Sequence, residues 1–131
     1  MATAKDLVQS ADWKTEKHVP VIEAADTTKK GEALDVKVTV GKEISHPNTT
    51  EHYIAWISVY FLADGEKFSY QIARTEFASH GASAQGANTS GIYTQPSVNL
   101  TIKTEKSGSL TAISYCNIHG LWESTKKVTV E

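Results

Sequence analysis

From Leu34 to Val40 the chain alternates without a break: Leu34, Val36, Val38 and Val40 are apolar, and Asp35, Lys37 and Thr39 between them are polar. A period of two puts every apolar side chain on one face of an extended segment, so this stretch reads as a strand half-buried in a sheet. The segment His52 to Leu62 is rich in β-branched and aromatic residues on both faces, as a central strand of a sandwich requires. Asp64-Gly65 is turn material leading to a hairpin partner over Lys67 to Ala73. Further strands are expected at Val98 to Thr104, Leu110 to Tyr115 and Lys126 to Glu131. No window sustains a helical period with start and stop signals. About seven short strands at this spacing predict an all-β fold, an immunoglobulin-like antiparallel β-sandwich. A short irregular N-terminal segment precedes it, in which Ala4 to Ala11 carries at most a helical turn. Ser79 to Pro96, dominated by Gly, Ser, Ala, Asn and Thr, is expected to be a long loop with at most one short strand. It lacks the Gly-Lys-Ser/Thr ending of a phosphate loop, so no nucleotide chemistry is assigned to it.

A chain of 131 residues suits one domain, taken as residues 1–131. Its 13 Lys and Arg against 15 Asp and Glu form no basic stripe, which removes the electrostatic case for nucleic acid. Met1 to Leu7 has no apolar core of a leader, and no stretch approaches the roughly 20 apolar residues of a membrane span. The expectation is a soluble, cytoplasmic protein with no membrane partner.

The polar residues with most chemical content are one cysteine and five histidines. Cys116 and His119 share the run Tyr115-Cys116-Asn117-Ile118-His119-Gly120, which follows a predicted strand. His46 and His52 flank Pro47-Asn48-Thr49-Thr50-Glu51, and His18 follows Glu16-Lys17. A thiolate with several imidazoles is a transition-metal ligand set, and a single cysteine excludes both an intramolecular disulfide and any four-cysteine site. Each motif has a plain alternative. Cys116 could be an inert buried thiol, His46 and His52 could face solvent from a turn, and Glu16-Lys17-His18 could be a solvated charge pair. Beside a metal, Lys17 would draw in small anions and Glu16 could close an open coordination position. His80, in the loose loop, has no partner at ligand spacing and reads as structural or exposed. The loops at one end of a sandwich can converge, and every candidate ligand lies in a loop or at a strand end.

An early histidine and a late Cys-His loop in a β-chain also fit a blue-copper electron carrier, a cupredoxin-like protein. Such a site normally adds an axial methionine a few residues later. Leu121-Trp122-Glu123 stands there instead, and the one methionine is Met1.

Three segments together carry a family resemblance: Glu16-Lys17-His18-Val19-Pro20, His46 through Ile54, and Tyr115 through Gly120. From about Asp12 to the C-terminus the chain resembles superoxide reductase, in its one-iron class, the neelaredoxins. The two-iron desulfoferrodoxins add a cysteine-rich module for which this chain has no cysteines. The resemblance implies one mononuclear non-haem iron, with four imidazoles from His18, His46, His52 and His119 and an axial thiolate from Cys116. It implies that Glu16 fills the sixth position in the oxidised resting state and that Lys17 attracts superoxide and helps order the water that protonates the product. The implied activity is one-electron reduction of superoxide to hydrogen peroxide without release of dioxygen. Backbone N–H groups of the Asn117 to His119 turn are expected to hydrogen-bond the sulfur. The resemblance further implies an electron donor such as rubredoxin, and a homotetramer.

Overall fold

A computed structural model describes residues 1–131. After one helical turn, α1 (Ala4–Leu7), the chain forms nine strands: β1 (Val8–Ser10), β2 (Pro20–Glu23), β3 (Thr27–Thr28), β4 (Ala33–Val40), β5 (Ile54–Ala63), β6 (Tyr70–Glu76), β7 (Ser97–Lys103), β8 (Gly108–Cys116) and β9 (Gly120–Val130). They make two sheets. One has the order β1-β9-β8-β5-β6 with β3 also paired to β9, and the other has the order β2-β4-β7. The helical turn is the only helix, and no helix is long and apolar enough to cross a membrane.

The all-β sandwich is as expected, with two differences of detail. Nine strands replace about seven, because the N-terminal segment adds β1, β2 and β3. These are two to four residues long, too short to show a period, and they form only by pairing with β4 or β9. The β1–β9 and β3–β9 pairs are parallel, while the other pairings are antiparallel. Two boundaries also move. The hairpin partner begins at Tyr70 because the turn after Ala63 runs on through Ser69. The last strand begins at Gly120, six residues before its expected start. Gly120 adopts φ +81°, a left-handed conformation that closes the Cys116–Gly120 reversal in so few residues.

Alternation sets what the core receives. Leu34, Val36, Val38 and Val40 of β4 are buried, and they meet Ile57, Val59 and Phe61 of β5, Leu110 and Ala112 of β8, and Val128 of β9. Along β8 every even residue from Gly108 to Cys116 is buried. The parity that buries Leu110 and Ala112 therefore also carries Ser114 and Cys116 inward, and Cys116 is fully buried at the strand's end. The β5–β8 ladder slips between Ile54 and Trp56, opposite Cys116 and Tyr115. This bulge lets both Ile54 and Ile57 face the core across an odd spacing, as bulges beside functional sites commonly re-aim side chains.

Candidate metal centre

Strand direction brings the predicted ligands together. His18 precedes β2, His46 follows β4, His52 precedes β5, and Cys116 and His119 lie between β8 and β9. Because β2 pairs antiparallel to β4, and β5 and β9 antiparallel to β8, all these termini fall at one end of the sandwich. His18 is anchored there from both neighbouring strands. Ser114 Oγ donates to the His18 carbonyl at 3.0 Å, and Ser124 Oγ donates to the Pro20 carbonyl at 2.5 Å.

The four imidazole rings form a closed square. Centroids lie 4.9 Å apart for His18–His46, 4.8 Å for His46–His52, 5.0 Å for His52–His119 and 4.8 Å for His18–His119, with 6.4 Å across the His18–His52 diagonal. Ligand atoms of His18, His52, Cys116 and His119 all lie within 4.8 Å of one another. His46 completes the square by its ring, although its ligand atom is outside that tightest group. His119 Nδ1 sits 3.2 Å from His18 Nε2 and 3.8 Å from Cys116 Sγ.

The outward nitrogens are already engaged. His18 Nδ1 meets Glu16 Oε1 at 2.5 Å, and His46 Nδ1 meets the Pro47 carbonyl at 2.6 Å. That leaves His18 Nε2 and His46 Nε2 as the inward donors. His46 Nε2 and His52 Nε2 are buried without any hydrogen-bond partner. Two orphaned ring nitrogens beside a buried thiol are costly in a protein interior unless something accepts their lone pairs, so the residues fit a metal ion. Protonation states agree. Burial, with the positive potential of His18, His52 and Lys17 behind it, pushes His46 down to about 4, against the opposing pull of the Pro47 carbonyl. Burial and the neighbouring His119, Lys17 and His18 lower His52 as well. Both imidazoles are therefore neutral near pH 7, the form that ligates.

Glu16 is the outer partner of His18. Partial burial resists its charge, but the backbone N–H and ring of His18, with the charges of His18 and Lys17, outweigh that and hold its carboxyl below the usual range. In this geometry Glu16 orients the His18 ring, the carboxylate–histidine arrangement that would suit a candidate metal ligand. Lys17 takes part in no ion pair, so its charge remains available to the site. Of the N–H groups expected to reach the sulfur, that of His119 does, at 3.4 Å, whereas the Asn117 N–H is taken by the Tyr53 carbonyl at 3.2 Å. His80 is buried and stacked on Tyr53, so of its two expected readings the exposed one is excluded.

Some site residues were not singled out in the sequence. Trp122 lies flat on His18, 5.0 Å between centroids at 14°, and donates from Nε1 to the His119 carbonyl at 3.1 Å. The available signal was parity: Trp122 pairs with Ser114 in the β8–β9 ladder and so shares the face of Cys116. The Asn117 side chain links the loop carrying Cys116 and His119 to the loop carrying His46 and His52, accepting from the Tyr53 N–H and donating to the Glu51 carbonyl, both at 2.9 Å.

A sequence model of the desulfoferrodoxin family matches residues 10–125. This chain belongs to the desulfoferrodoxin family. Within that family it is similar to superoxide reductase of Pyrococcus furiosus, 56% identical over 126 residues that cover 96% of this chain and 98% of the relative. It is 51% identical to neelaredoxin of Megalodesulfovibrio gigas, with 96% and 97% of the two chains covered. Among solved structures it resembles superoxide reductase (neelaredoxin) from Archaeoglobus fulgidus in the reduced form, with TM-score 0.87 at 58% identity over 94% of this chain and 98% of that one. For a desulfoferrodoxin-family chain, the copper-carrier alternative finds no support in the site. A blue-copper centre uses two histidines and a cysteine with a weak axial methionine, whereas four imidazoles converge here and Met1 is fully exposed at the N-terminus.

Proposed function

We propose that this chain is a superoxide reductase, a single iron-binding sandwich domain that reduces superoxide with one external electron and two protons to hydrogen peroxide, releasing no dioxygen. The observation that carries this reading is the closed square of imidazoles beside a buried free cysteine, in a chain whose family relatives bear that activity in their names. The proposed ligands are His18, His46, His52, His119 and Cys116. Iron is the fitting metal, and cycling between its ferrous and ferric states would supply the electron. Neutral imidazoles favour the reduced metal, and a thiolate raises electron density on it.

The chain's own residues do the rest. Lys17, unpaired, gives the site a positive potential that captures a small anion, and it holds water near the reacting oxygen atoms for protonation. Glu16 fixes the His18 ring and, by swinging from it, would close the open position in the oxidised resting state. The His119 N–H tempers the donor strength of Cys116 Sγ. His119 is solvent-exposed, so a small anion needs no channel. The electron is expected from a small redox protein such as rubredoxin, and a homotetrameric assembly in the cytoplasm is the expected setting.

The test is direct. Anaerobic, iron-loaded, reduced protein is mixed rapidly with superoxide while iron oxidation, hydrogen peroxide and dioxygen are followed. Oxidation with one peroxide per iron and no dioxygen is expected, and an inert ferrous protein would refute the activity. Cys116→Ser should lose the thiolate charge-transfer band, and an unchanged spectrum would refute the ligand assignment.

A further inference from the structure

The loop between β6 and β7 carries none of the proposed ligands, yet its His80 holds the His46–Tyr53 segment at three places, by its ring on Asn48 and Tyr53 and by its backbone carbonyl on Thr50. His80 is only 9% exposed, and its ring lies flat on Tyr53 with centroids 3.7 Å apart at 12°. Its Nδ1 meets Asn48 Oδ1 at 2.9 Å, and its Nε2 meets the Phe77 carbonyl at 2.6 Å. The amide of Asn48 is oriented by its Nδ2, which donates to the Thr94 carbonyl at 3.0 Å, so Oδ1 faces the ring as an acceptor. Both ring nitrogens of His80 thus meet oxygen atoms, one on the His46–His52 segment and one on its own loop. The His80 carbonyl in turn accepts from Thr50 Oγ1 at 3.1 Å. Asn48 is two residues after His46, Thr50 is two before His52, and Tyr53 directly follows His52.

We propose that His80 is a positioning residue for the metal centre, holding His46 and His52 at a fixed separation through Asn48, Thr50 and Tyr53 without itself ligating. The physical need is plain from the segment. Residues 44–53 form no regular strand or helix, and a seven-residue stretch with a ligand at each end has no ladder of its own to fix its span. The surrounding loop supplies what is missing. Asn88 adds a second grip on the segment: its Oδ1 accepts from the Thr50 N–H at 2.8 Å and its own N–H donates to Thr50 Oγ1 at 3.0 Å. His80 is the member of this loop that reaches both flanks, and its ring has an aromatic surface that no aliphatic residue reproduces.

This inference rests on the ligand reading above, and the experiment separates the two. His80→Phe keeps the stack on Tyr53 and deletes both ring-nitrogen contacts. Asn48→Ala removes the Nδ1 partner, together with the Asn48–Thr94 bond, while keeping the His80 ring, and serves if the first variant folds poorly. Ferrous iron affinity is measured by chelator competition for parent and variants, together with the visible spectrum of the oxidised form and amide hydrogen exchange of the metal-free chains. Removing a group that orients a metal ligand typically weakens binding about 10–100-fold, and that loss is expected here with a shifted thiolate band. Faster exchange at Thr49, Thr50 and Tyr53 in the metal-free variants is also expected. If the parent binds iron with its thiolate band and His80→Phe or Asn48→Ala matches its affinity, spectrum and exchange, His80 has no positioning role. A merely structural role would lower the melting temperature and leave affinity and spectrum unchanged, which also overturns the proposal. A parent that binds no iron overturns the ligand reading, and unchanged exchange in the metal-free chains would then refute the grip independently.

Discussion

Asn117→Ala is the sharpest test of how the His46–His52 loop and the Cys116–His119 loop are held together. The side chain accepts from the Tyr53 N–H and donates to the Glu51 carbonyl, each at 2.9 Å, and alanine deletes both bonds. The backbone bond from the Asn117 N–H to the Tyr53 carbonyl survives. Asn117 is exposed, so water can replace the lost partners and each bond is worth its net value of about 1 kcal/mol rather than a full desolvation penalty. The expected loss is about 2 kcal/mol. With an unfolding entropy of roughly 2.1 cal/mol/K per residue, a chain of 131 residues gives about 0.28 kcal/mol/K, so the melting temperature should fall by about 7 °C. Calorimetry and urea unfolding of the metal-free protein measure both quantities. Lys30→Ala is the control, because its exposed ion pair with Glu105 at 3.6 Å should cost less than about 0.5 kcal/mol. An Asn117→Ala variant no less stable than that control would mean the cross-link contributes nothing, and the reasoning would be wrong.

Lys17→Ala should slow superoxide capture most at low ionic strength and flatten its salt dependence, since a small anion's attraction is screened by salt. Stopped-flow rates across a salt series check this, and parallel slopes for parent and variant would dismiss the role. Glu16→Ala should weaken ferrous iron binding about 10-fold or more by freeing the His18 ring, read by chelator competition, while changing the oxidised spectrum more than the encounter rate. In the metal-free chain, His46 and His52 both have lowered folded pKa values, that of His46 about 4, so below the ordinary histidine value near 6.5 the unfolded chain binds more protons than the folded one. Their contribution is therefore fully present above about 6.5 and is lost as pH falls. Urea midpoints at pH 7 and pH 5 should show the drop, and equal midpoints would contradict it. Gly108→Ala should cost about 1–3 kcal/mol, because a Cβ there would meet the Leu62 carbonyl oxygen at 2.4 Å, the Phe61 ring at 2.7 Å and the Ala63 Cα at 2.9 Å. Thermal unfolding checks it.

Legibility in the sequence followed the range of the interaction. Leu34 to Val40 announced a half-buried strand by themselves, because alternation is local and a shift of one residue would expose four apolar side chains. The Cys116 and His119 spacing and the His46 and His52 pair likewise carried their chemistry in the sequence, as did the family resemblance. By contrast, β1 and β3 hold a few residues each and exist by pairing with β9, some 100 positions away. No local pattern marks such strands.

What the sequence determined alone is the donor inventory and the inward parity: one thiol, five imidazoles, and Cys116 in phase with Leu110 and Ala112. What only the tertiary structure decided is which imidazoles meet. Four close into a square, while the fifth, His80, turns both nitrogens to acceptors outside it. Spacing along a chain says which residues can reach an ion from one loop. The directions of strands β2, β4, β5, β8 and β9 set which loops share an end of the sandwich, and those directions are fixed by hydrogen-bond registers between distant segments.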